Sequence, residues 1–330
     1  MKGAKLSLIV TLLVAFLIAL GAPAVCAEHK SDKPMVVVSI SPLYLIAKEV
    51  IGDRADVRVL VAAGVDPHHY SPSPQDVLLI ESCDLFICIG REEFLGQLPR
   101  SQHGISWDDW IGESDMNIEN NNPHYLWLYP PNAGIVARKI AEAMSEIDSS
   151  NSWYYLDRAQ EFKRKLEALE QWLSDLRSSV NLKGKRVLLV ADHFEPLVKW
   201  MGLDIVYVVV RGEALPGPQD ISMAMEKARD CDLIIVSATQ SEGDEGRIGR
   251  QISEGTGTPL AYLYGIPMSS EESYFDFIKR NAVIVAGRLA ERSPSHVETS
   301  GIDLFALSTI VLAVVAALEG LAIVKLRRSR

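Results

Sequence analysis

Pro72-Ser73-Pro74-Gln75-Asp76, followed by Cys83-Asp84-Leu85-Phe86-Ile87, is echoed by Pro216-Gly217-Pro218-Gln219-Asp220, followed by Cys231-Asp232-Leu233-Ile234-Ile235. Each copy reads as a helix start, a helix and a buried strand. Ser73 or Gly217 suits an N-cap, the next proline suits the first helical position, and the aspartate after it complements the helix dipole. A cap and a strand that recur together predict two similar lobes. Val36 to Ile40 is an apolar, β-branched run, Leu43 to Ile51 is helical in pattern, and Val57 to Val61 is extended again. The alternation resumes at Arg186-Val187-Leu188-Leu189-Val190, and it predicts parallel sheets covered by helices. Between the copies, Ala159, Phe162, Leu166, Leu169, Leu173, Leu176 and Val180 form the stripe of one long amphipathic helix joining the lobes.

Both ends of the chain point to export. Lys2 and Lys5 precede an apolar run from Leu6 to Leu20 and the small residues of Ala24-Val25-Cys26-Ala27, the pattern of a signal peptide cleaved after Ala27. Pro23-Ala24-Val25 lacks the leucine and small residue expected before a lipidated cysteine, so lipid attachment at Cys26 is the weaker reading. Leu304 to Val324 carries one charge, Glu319, and meets the roughly 20 residues needed to cross a bilayer. The basic residues after it predict a cytoplasmic C-terminus. Expected localisation is therefore the cell membrane, single-pass, with an extracellular ectodomain. The expected division is 1–27 signal peptide, 28–150 N-terminal lobe, 151–182 linking helix, 183–291 C-terminal lobe, 292–303 stalk, 304–324 transmembrane helix and 325–330 basic tail.

A formal charge of −10 disfavours nucleic acid as a partner. Cys83, Cys88 and Cys231 remain after cleavage, an odd number without CxxC spacing, so neither a disulfide framework nor a thiolate zinc site is indicated. The two cysteines of the repeat read as small buried residues. Three histidines fall where loops leave strands or enter helices: His68 in Asp66-Pro67-His68-His69-Tyr70, His124 in Asn122-Pro123-His124, and His193 after Val190-Ala191-Asp192. Neutral imidazoles are good zinc ligands, and separate loops can bring three of them together. Residues adjacent in an extended segment face opposite sides, so only one of His68 and His69 points at a shared site.

Ile40-Ser41-Pro42-Leu43, the block Gly64-x-Asp66-Pro67-His68-x-Tyr70-x-Pro72-x-Pro74-x-Asp76, Asn122-Pro123-His124 with Trp127-Leu128-x-Pro130-x-Asn132-Ala133, and Asp192-His193-Phe194 together resemble one family. It is that of the solute-binding proteins of zinc and manganese ABC importers, the cluster A-I metal-binding family, and the resemblance covers residues 35 to 290. It implies an α/β fold of two lobes, each a parallel sheet flanked by helices, joined by one long backbone helix. It also implies that His68, rather than His69, coordinates a metal with His124 and His193 in a cleft between the lobes.

Two departures stand out. Tyr125 and Leu126 separate His124 from its tryptophan, one residue more than is usual in the family. Tyr264 stands where relatives often place a carboxylate ligand, which leaves water, Glu195, Asp192 or Glu213 for the fourth position. Nitrogen donors favour Zn2+ over Mn2+, which prefers more oxygens, while copper and nickel also suit imidazole. The expected partners are the divalent ion, the membrane, and a permease with its ATPase on other chains, since no GxxxxGK[ST] loop occurs here. Three histidines and a water also suit a zinc hydrolase, with Glu195 or Asp192 as base, but no HExxH helix is present. Surface adhesion, credited to some relatives, is a third reading. Capture and delivery without catalysis is the main expectation.

Overall fold

Two parallel four-stranded sheets frame the molecule, which the computed structural model describes over residues 33–212 and 215–291. In the first sheet, β1 (Met35–Ile40), β2 (Asp56–Val61), β3 (Leu85–Ile87) and β4 (Gly104–Ile105) lie in the order β2-β1-β3-β4. In the second, β5 (Arg186–Ala191), β6 (Asp204–Val210), β7 (Leu233–Ser237) and β8 (Leu260–Leu263) repeat that arrangement as β6-β5-β7-β8. The central strands β1 and β5 are covered on both faces, which is why they read as unbroken apolar runs. Val36, Val37, Val38 and Ile40 are buried in one, and Val187, Leu188, Leu189 and Val190 in the other.

The repeated sequence has the same physical role in both sheets. Asp76 accepts from the Ser73 N–H at 2.6 Å, while its own N–H donates to Ser73 Oγ at 3.3 Å, closing a capping box on the helix Pro74–Ser82. Gly217 has no side chain to return, so Asp220 makes half of the box, accepting from the Gly217 N–H at 2.8 Å. The aspartate of each Cys-Asp-Leu element pins the start of the central strand beside it. Asp84 Oδ2 accepts from the Met35 N–H at 2.7 Å, and Asp232 Oδ2 accepts from the Arg186 N–H at 2.8 Å. Cys231 is buried and Cys83 half-buried, each thiol donating to a carbonyl of the helix before it.

The helix Ser152–Val180 spans the two halves. Phe162, Leu169 and Leu173 of the expected stripe are buried together with Tyr155, and Ala159, Leu166, Leu176 and Val180 pack half-covered on the same core. It lies on the helices Ser41–Ile51, Pro130–Ile147 and Tyr274–Glu291. Polar contacts fasten it to both halves. Lys165 Nζ donates to Glu49 Oε2 and Arg158 Nε to the Glu49 carbonyl, each at 2.8 Å, and Arg177 Nε donates to the Met201 carbonyl at 3.1 Å. Asn181, in the left-handed conformation at φ 51°, ends the helix.

The expected signal peptide, stalk, transmembrane helix at 304–324 and basic tail lie outside the described residues. Among the described residues, no helix is long and apolar enough to cross a membrane.

Candidate metal centre

Ile40, Val190, Val210 and Ser237, at or near the C-terminal ends of β1, β5, β6 and β7, line a cleft of about 550 Å³ between the halves. Open α/β sheets gather their ligands at such strand ends. His68 reaches the cleft from the turn Pro67–His69, where Asp66 Oδ1 caps the backbone by accepting from the His68 N–H at 3.0 Å. His193 arrives in the turn Asp192–Phe194 directly after β5, and His124 precedes the short helix Tyr125–Leu128. His69 lines the same cleft, but the ring stacked on His193 is that of His68.

The centroids of His124 and His193 lie 4.6 Å apart, and those of His68 and His193 6.3 Å apart. Two imidazoles on one tetrahedral ion, with metal–nitrogen distances near 2.1 Å, have centroids roughly 5 Å apart. The observed values fall on either side of that figure. Among the described residues no three His, Cys, Asp or Glu side chains are already drawn to ion-holding distances.

Asn122 orients the most enclosed of the rings. Its Oδ1 lies 2.9 Å from His124 Nδ1 and accepts from the His124 backbone N–H at 3.0 Å. An amide oxygen only accepts, so Nδ1 carries the proton and Nε2 keeps the lone pair a metal needs. Asn122 Nδ2 donates to the Asp192 carbonyl at 2.8 Å, joining this loop to the one that bears His193. Trp127 packs 4.9 Å from His124, with Nε1 donating to the Gly265 carbonyl at 2.8 Å. Burial, reinforced by the neighbouring His193 and His68, holds the His124 pKa well below the usual 6.5. The ring is therefore neutral at neutral pH, the form that binds metal.

The candidates for the fourth position fare differently. Buried Glu195 is committed to Arg211 through two hydrogen bonds of 3.0 Å. Asp192 Oδ2 takes a long contact from the Gly212 N–H at 3.4 Å, and Glu213 lies outside the described residues. Tyr264 stacks under the Arg280 guanidinium, 4.7 Å from its ring centre. Three residues of the site were not singled out by sequence reasoning: Asn122 as an orienting group, Gln240, and Glu245, whose Oε1 lies 3.6 Å from His193 Nδ1. Asn122 sat in the motif as a signal. Glu245 and Gln240 had none, because they reach the site from the second half through tertiary packing.

A family model described as ZnuA, the periplasmic zinc-uptake complex component A, matches residues 36–286. The manganese ABC transporter substrate-binding lipoprotein PsaA of Streptococcus pneumoniae is 27% identical over 308 residues, spanning 85% of this chain and 98% of that protein. The iron-binding protein YfeA of Yersinia pestis is 25% identical over 277 residues, spanning 79% of this chain and 87% of that one. Among solved structures, the laminin binding protein Lmb of Streptococcus agalactiae superposes with a TM-score of 0.66 at 23% identity, covering 78% of this chain and 99% of that one. The binding protein FpvC of Pseudomonas aeruginosa, in complex with Mn2+, gives 0.65 at 21% identity, again covering 78% and 99%. At these identities the solved structures establish the fold. The expected localisation, a single-pass protein with a cytoplasmic C-terminus, is corrected by the comparisons. The curated relatives that span 85% of the chain are named lipoproteins, a class held at a membrane by lipid chains rather than by a spanning helix.

Proposed function

Because the chain belongs to the ZnuA family, the metal-binding solute-binding proteins of ABC importers, we propose that it captures Zn2+ between His68, His124 and His193 and passes it to a permease. Family members are binding proteins, not enzymes, so the site is read as capturing and releasing an ion without chemistry upon it. The lobes of this reading are residues 28–150 and 183–291, on either side of the linking segment 151–182.

The observation that carries the reading is the meeting of three imidazoles, brought by separate loops of both halves, in one cleft. Asn122 supports it by leaving His124 Nε2 unprotonated. Nitrogen donors and a low coordination number suit zinc. Manganese is the second reading, favoured by the names of the manganese-binding relatives and by the preference of Mn2+ for oxygen donors, which water would supply here.

Elemental analysis of the purified protein, followed by competition between zinc and manganese, tests the cargo. Stoichiometric zinc that manganese fails to displace is the expected result, and preferential loading with manganese reverses the assignment. Replacing His68, His124 and His193 together by alanine is expected to abolish binding. Stoichiometric zinc in that triple variant would place the site elsewhere.

A further inference from the structure

Three neutral imidazoles leave the two positive charges of a bound ion uncompensated, and most carboxylates around the cleft are already engaged. Glu195 faces Arg211. Glu92 accepts from the backbone N–H groups of Ile89, Gly90 and Arg91 at 2.8 to 3.0 Å and from the Ser39 hydroxyl. Asp66 accepts from the His68 N–H and from Gln240 Nε2. Glu245 stands apart from these: Oε1 lies 3.6 Å from His193 Nδ1, and Oε2 takes only a long contact of 3.4 Å from the Ser237 N–H.

The fold brings this side chain to the cleft through close packing of its helix, Asp244–Thr256. A Cβ on Gly249 would meet Val236 Cγ2 at 2.4 Å, so the missing side chain lets the helix lie directly on β7. The first turn then projects over the strand end. A carboxylate in the first turn is also favoured by the helix dipole.

We propose that Glu245 is the positioning residue of the metal centre: its carboxylate accepts the Nδ1–H of His193 and presents Nε2 of that ring to the ion. The proposal rests on the three-histidine reading above. Metal-ligating histidines commonly donate their second ring N–H to a carboxylate or carbonyl, which fixes the tautomer and raises the basicity of the ligating nitrogen. Asn122 does this for His124 with a neutral amide. Glu245 does it for His193 with a charge, supplying at one remove the negative charge that Tyr264 does not. Closing the contact to hydrogen-bond length takes a shift of under about 1 Å.

The test compares the full chain with Glu245→Gln and Glu245→Ala, each loaded with zinc. Three readouts are followed: zinc affinity by chelator competition, the His193 ring N–H resonance by NMR of histidine-labelled protein, and the zinc shell by X-ray absorption. Wild type is expected to show a strongly downfield Nδ1–H resonance. Glu245→Gln should move it upfield, and Glu245→Ala should remove it and weaken zinc binding roughly 10–100-fold, with the donor atoms unchanged. An unmoved resonance, or affinity within about twofold of wild type in Glu245→Ala, overturns the proposal. So does loss of an oxygen neighbour from the zinc shell, which would make Glu245 a direct ligand. If Glu245→Ala does not fold, the Glu245→Gln resonance decides alone. Wild-type zinc affinity in His193→Ala is the separate result that would sink the three-histidine reading itself.

Discussion

Asn122 and His124 show how little of a candidate site is visible in the identity of its candidate ligands. The histidine is legible as a candidate because its type and spacing are local facts. Its proton position depends on the Asn122 amide, and its depressed pKa depends on burial and on two histidines distant in sequence. That depression has a thermodynamic consequence. With the folded pKa below the unfolded value of about 6.5, the unfolded chain takes up the proton more readily as pH falls, so the contribution to stability is present above that value and is lost below it. Metal-free protein is expected to lose Tm as pH falls from about 7.5 to 5.5, with His124→Asn flattening that stretch of the curve. Parallel slopes for the two proteins in thermal melts would remove His124 as the cause.

Among the elements, β1, β2, β3, β5 and β7, the helices after the repeated caps, and the linking helix were legible because each follows from local pattern, whereas β4 and β6 were not read from the sequence. The Cys-Asp-Leu aspartates were legible only as part of a repeat. Their use, accepting from the first N–H of a neighbouring strand, needs the sheet to exist. The helix Asp244–Thr256 is a harder case. Gly246, Gly249 and Gly255 lower its intrinsic propensity, yet Gly249 is what allows it to contact Val236 and Leu260. Gly249→Ala is expected to destabilise the protein by about 1–3 kcal/mol through overpacking, despite the better propensity of alanine. Urea melts decide it, since an unchanged or higher midpoint would show that the helix can retreat at no cost.

For the whole molecule, the cleft is held by polar contacts that cross it. Gln240 Nε2 donates to Asp66 Oδ2 at 2.8 Å, the Gly64 N–H donates to the Pro267 carbonyl at 2.9 Å, and Asn122 reaches the Asp192 carbonyl. The linking helix is fastened to one half at Glu49 and to the other at Met201. On the three-histidine reading, these hydrogen bonds are what opening of the cleft would have to break. Gln240→Ala removes one of them and frees the Asp66 turn that carries His68. Release of zinc to excess chelator is expected to quicken roughly 3–10-fold, the equivalent of about 1 kcal/mol. A stopped-flow trace indistinguishable from wild type would mean that this contact does not restrain the loaded state.

The sequence by itself determined the two-lobed α/β plan, the linking helix and three candidate histidines, because periodicity, capping and the repeat are carried by neighbours along the chain. Tertiary packing determined the cleft those histidines line together. It joined His68 and His124 from one half to His193 from the other, engaged Glu195 with Arg211, and turned Tyr264 toward Arg280. It also carried Glu245 to the cleft on a glycine-packed helix. Coordination depends on distances and proton positions between residues far apart in the chain, and no pattern along one segment encodes them.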